Sequence, residues 1–140
     1  MKRAILILAI LFICMQLIQT EQINPKLDKN LEIKAPQNIQ TMFKNACYDC
    51  HSNQTNWPYY ANIAPFSWII ARHVKQGRKA LDFTAWENYD EKEKSKKLKA
   101  IYRTVYGSMP LPAYEAFHEE AELSKEEREV IRTWTGVRRF

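Results

Sequence analysis

Cys47-Tyr48-Asp49-Cys50-His51 places two thiols and an imidazole within one short turn, and the reading of this stretch decides the fold. In a Cys-x-x-Cys-His run the two sulfurs can form thioethers with a porphyrin edge while the histidine presents a ring nitrogen to the iron. The histidine has to be adjacent, because a turn that grips the ring edge leaves little slack for a ligand beneath it. Its other ring nitrogen is expected to donate to a backbone carbonyl, which fixes the tautomer. A thioredoxin-like redox pair would need a strand before the cysteines and a helix after them. Here a helical pattern precedes them, and Asn53, Asn56 and Pro58 interrupt the segment on their C-terminal side. A four-ligand zinc site would need a second pair of soft ligands, whereas the remaining cysteine, Cys14, lies in the apolar N-terminal run. The cofactor this stretch implies is one covalent haem, haem c.

Just upstream, Ile39, Met42, Phe43 and Ala46 recur at i, i+3, i+4 and i+7, the period of a helix with one apolar face. Pro36 suits the first turn of that helix, where its missing donor costs least. The helix runs directly into Cys47 and would hold the thiols relative to the core. Downstream, residues 52–58 read as a polar loop ending at Trp57-Pro58. Pro65 opens a second helix, with Phe66, Ile69, Ile70 and Val74 expected to be buried and Gly77 expected just past its end. Thr84 and Glu87 have capping-box spacing for a third helical region. Leu98, Ile101, Tyr102 and Val105 repeat at helical spacing before a stop at Gly107. The charged run 89–97 reads as the solvated face of that helix, with Glu93 and Lys97 at a favourable i,i+4 separation.

Pro110 keeps Met109 out of a regular helix and leaves its thioether on a stiff loop between two helices. A soft thioether there suits the far side of a haem iron and would raise the reduction potential relative to a second histidine. His118 is the strongest alternative distal ligand, although Glu119 and Glu120 beside it suggest a wet surface. His73 is a further alternative, read first as a helix-surface or capping residue and second as a contact for a haem propionate or the iron. Tyr114 and Phe117 are expected to face inward. Ser124 and Glu127 again have capping-box spacing, and Val130, Ile131 and Trp134 mark the buried face of a last short helix.

Lys2 and Arg3 precede an apolar run from Ala4 to Met15 that continues more weakly through Leu17 and Ile18. This reads as an export signal or an N-terminal membrane anchor over residues 1–20. No small-residue cleavage site follows, and the run is shorter than the ~20 residues usually needed to cross hydrocarbon, so both forms stay open. Residues 21–35 have no sustained period and read as an extended tether or a chain wrapped over the domain. The net charge of +5 is mild, and the lysines between 92 and 99 are mixed with acids. That pattern argues against nucleic acid and is compatible with an acidic redox partner protein or an anionic membrane face. With three glycines and no serine elbow, the chain offers no phosphate-cradling loop or evident catalytic arrangement apart from an iron.

These residues together resemble a c-type cytochrome, and more narrowly the small bacterial haem-binding domain family. The likeness rests on Cys47 to Asn53, Trp57-Pro58, Ile63 to Trp68, His73-Val74, Gly77-Arg78, Phe83, Trp86, Met109-Pro110, Tyr114, His118 and Leu123-Ser124. It implies an all-α, cytochrome c-like fold over residues 36–136 around one covalently attached haem, with residues 137–140 as a tail. A helical segment is inserted between the attachment motif and the distal methionine loop. The resemblance carries over Cys47 and Cys50 as attachment residues, His51 as proximal ligand and Met109 as distal ligand. It further implies an exported bacterial protein, in the periplasm or at the outer face of the inner membrane; two protein ligands would leave no open position on the iron, which favours one-electron transfer by a carrier rather than a catalyst. A haem peroxidase or reductase with a displaceable distal ligand, or a haem-based sensory module, is the alternative.

Overall fold

The computed structural model describes residues 1–138; of the expected tail, residues 139 and 140 lie outside the described residues. The described chain is all-α, with helices joined by loops and 3-10 turns and no strand among the described residues. In α2 (Gln37–Ala46) the apolar period does what it implies: Ile39, Phe43 and Ala46 are buried and Met42 packs beside them. Pro36 stands one position earlier than expected, as the N-cap. The ring of Phe43 stacks on Phe83 at 4.5 Å and meets Trp134 edge-on at 5.3 Å. Aromatic pairs at such distances add to the area they bury. Trp134 belongs to α7 (Lys125–Trp134), which opens with the expected capping box of Ser124 and Glu127. Ile131 is its buried anchor, whereas Val130, expected inside, is 40% exposed.

The short helix α3 (Tyr48–His51) carries the motif and is crossed by α4 (Phe66–Ala80). The buried side of α4 differs from the expected one. Ser67, Val74 and Gly77 face the core, while Phe66 and Ile69 are about half exposed. Gly77 lies inside the helix, because the helix needs a residue without a side chain where it meets α3.

The third helical region is two elements. A 3-10 segment, Phe83–Asn88, is capped by Asp82, and α5 (Glu91–Thr104) is capped by Asp90 and Glu93 rather than by Thr84 and Glu87. Glu93 is occupied by that cap, so the expected Glu93–Lys97 pair does not form. Lys94 pairs with Glu87 at 2.7 Å, and Lys97 donates to the Ala80 carbonyl and lies over the Tyr89 ring. A short helix α6 (Pro112–Glu115) follows the Met109 loop; beyond it Phe117, expected to point inward, is 73% exposed.

The helix α1 (Lys2–Gln16) has no buried residue. No described helix is long and apolar enough to cross a membrane. Its end is joined to the domain by paired bonds between the Gln16 side-chain amide and the Ala64 backbone. The following segment lies across the domain. Arg78 donates to the Ile23 carbonyl and the Asn24 side chain, and buried Ile33 donates its N–H to the Phe83 carbonyl at 2.8 Å.

Candidate functional site

The last turn of α2 passes into α3 through backbone bonds from Cys47 N–H to the Phe43 carbonyl and from His51 N–H to the Cys47 carbonyl. The two residues between the cysteines are structural fasteners. Tyr48 is buried, stacks on Phe83 and donates its hydroxyl to Glu32 at 2.7 Å. Asp49 accepts from the Asn56 N–H and from the Tyr114 hydroxyl, the latter at 2.6 Å. Ser52, fully buried, donates to the Tyr48 carbonyl and accepts from the Gln54 N–H. A Cβ built on Gly77 would lie 2.2 Å from the Cys50 carbonyl oxygen, so the approach of α4 to this turn requires glycine.

That approach also sets the histidine. His51 Nδ1 is 3.1 Å from the Gly77 carbonyl and 3.0 Å from that of Leu81, both acceptors. The proton therefore sits on Nδ1, and the Nε2 lone pair is left for a metal. Burial lowers the pKa of His51, favouring this neutral form despite the opposing pull of the two carbonyls. The cysteines are not joined in a disulfide. Burial, before any neighbouring charge, pushes Cys47 up to about 12 and Cys50 up to about 11. Nucleophilic Cys-x-x-Cys pairs have lowered values, so the electrostatics oppose a dithiol redox centre. No cluster of metal-ligating His, Cys, Asp and Glu side chains exists among the described residues, which leaves the zinc reading without support.

An apolar cleft of about 800 Å3, mouth included, opens in front of the motif between α2, α5 and α7. Cys47, His51, Phe83, Ile101, Val105 and Met109 are among its walls. A second hollow of about 870 Å3 shares Cys47, His51 and Met109 with it and adds Cys50, His73 and Tyr114. The two together form a slot with His51 and Met109 on its lining. Met109 is 37% exposed, and its loop is held by Arg128. That guanidinium donates to the carbonyls of Val105, Met109 and Leu123 and pairs with Glu115 at 2.7 Å.

A family model described as a haem-binding domain matches residues 10–136. The chain belongs to the haem-binding domain family. Compared with curated proteins and with solved structures, it gives no match.

The residues of this haem-binding domain fit a haem. The slot's lining is apolar, and both motif cysteines and His51 belong to it. The other two histidines divide. His73 lines the second hollow beside Cys50. His118 does not line either one: Nε2 meets the Tyr60 hydroxyl at 2.7 Å, Nδ1 meets Glu120 at 3.1 Å, and the ring stacks on Tyr114. Sequence reasoning missed Arg128, Asp49 and Lys97, which borders the cleft. For Asp49 the signal was its place inside the motif. Arg128 and Lys97 follow from helix packing and leave no local pattern.

Proposed function

We propose that this haem-binding domain is a mono-haem c-type cytochrome that carries single electrons, with Cys47 and Cys50 as thioether residues, His51 as proximal ligand and Met109 as distal ligand. The observation that carries this reading is that His51, with Nδ1 pinned and Nε2 free, lines one apolar slot with Met109 and both cysteines. A haem bound there supplies an iron that cycles between ferric and ferrous. Gly77 and Leu81 hold the imidazole in one orientation, and the apolar walls keep water away, which limits reorganisation. The thioether of Met109 is a soft donor that favours the reduced metal. Lys97 and His73, which line the two hollows, would be the residues available to the carboxylates of a bound ring. The electron partner is a separate redox protein, and residues 1–20 bring the domain to the periplasm or the outer face of a bacterial inner membrane.

The test is mass spectrometry and a ferric spectrum of protein made where haem-attachment machinery operates. A mass gain of one haem and a methionine-to-iron charge-transfer band are expected. Polypeptide of unmodified mass would refute covalent attachment. The exposure of Met109 on an irregular loop favours one second reading, a haem peroxidase or reductase whose distal ligand is displaced by substrate. High-spin ferric features with rapid peroxide turnover would establish it in place of the carrier.

A further inference from the structure

A different cleft lies where α1 joins the domain. Glu21, Trp57, Trp68, Arg72, Lys75 and Arg78 are among its walls. Arg72 and Lys75 are exposed and form no ion pair among the described residues. Arg78 spends its donors on uncharged acceptors, the carbonyls of Ser52 and Ile23 and the side chains of Asn24 and Thr55. Three cations therefore face a single lining carboxylate, Glu21. The indole N–H of Trp68 is used by the Ile18 carbonyl. A cleft with surplus positive charge suits an oxygen-rich anion.

We propose that this cleft receives the phosphate headgroup of an anionic membrane lipid. Lipid is favoured over free phosphate by what stands beside it. Every large apolar residue of α1 from Ile5 to Ile13 is 46–66% exposed, a surface that calls for an apolar medium. Gln16 ties the end of α1 to Ala64, and Thr20 donates to the Ser67 carbonyl, so the cleft begins where the apolar stretch ends. That is the level at which tryptophan and basic side chains meet headgroups. The family match starts at residue 10, inside α1, so this junction belongs to the domain. The inference rests on reading α1 as membrane-associated.

The experiment is vesicle co-sedimentation of the full-length holoprotein, followed by haem absorbance, with phosphatidylcholine vesicles alone or containing phosphatidylglycerol. Tighter binding to the phosphatidylglycerol vesicles, by about tenfold, is expected. R72Q/K75Q should abolish that preference, with binding to phosphatidylcholine unchanged. K96Q/K99Q, which removes the same charge from α5, should keep it. Equal binding to both vesicles overturns the headgroup site while leaving the membrane role of α1 standing, whereas binding to neither removes both. Loss of the preference in K96Q/K99Q would reduce the effect to net charge and overturn the site. Loss of it in millimolar inorganic phosphate, at matched ionic strength, would reassign the cleft to free phosphate.

Discussion

The two sides of the slot are built differently. On the His51 side, α2, α3 and α4 meet backbone to backbone, with no room for a methyl group at Gly77 and two carbonyls on one imidazole nitrogen. On the Met109 side, an irregular loop is held by backbone bonds from Gly107, Ser108 and Met109 to the Thr104 carbonyl and by one side chain, Arg128, reaching carbonyl oxygens from α7. A site made this way has one side closed by backbone contacts and another whose position depends in part on a side chain that can be replaced. Ligand fidelity should therefore be a folding property on the first side and an adjustable one on the second.

The most severe way to break the contrast is Gly77→Ala. Its Cβ meets backbone rather than a flexible side chain, and a loss of about 3 kcal/mol is expected, measurable by urea denaturation of the holoprotein. A near-neutral result would show that α4 can slide and that the first side is not rigid. Arg128→Gln comes next: it removes charge-assisted bonds to three carbonyls and the Glu115 pair, costing about 2 kcal/mol. The charge-transfer band should weaken while the covalent mass stays, and an unchanged band would show that the loop does not need its clamp. Met109→Ala should cost less stability because the side chain is partly exposed, yet it should shift the spin state and lower the potential. If potentiometry finds the potential unchanged and His73→Ala moves it instead, the distal assignment passes to His73. Tyr114→Phe is the mildest: losing the bond to Asp49 should cost about 1 kcal/mol, seen as a small drop in thermal midpoint. A larger drop would mean that the two sides are coupled through Asp49 more strongly than their contacts suggest.

Legibility in the sequence follows the same division. The motif, the apolar face of α2 and the cap of α7 are local: each depends on residues within two turns, and spacing alone states them. The burial of α4 is not local. Phe66 and Ile69 look like core by hydropathy, but the face that packs is chosen by the close approach to α3, which favours Ser67, Val74 and Gly77. The cap of α5 was misplaced for a related reason, since Thr84 bonds to Asp82 and to the Asn53 N–H instead of starting a helix. In the candidate site, the positions of the four proposed haem contacts could be singled out from the chain. The groups that orient them, the carbonyls of Gly77 and Leu81 and the guanidinium of Arg128, could not, because backbone oxygens have no sequence identity and Arg128 acts across 19 residues.

The grip of Arg78 on Ile23 and Asn24 decides how the domain would meet truncation. A cut just ahead of Ile23 would forfeit the side-chain amides of Gln16 and Gln22, which donate to the Ala64 and Ala61 carbonyls, yet the trimmed end would stay stapled to the loop behind the motif. A cut only a few bonds later would release Asn24 from Thr55 and leave that loop unlatched. The contacts thus tolerate loss of the chain before Ile23 far better than loss of Asn24.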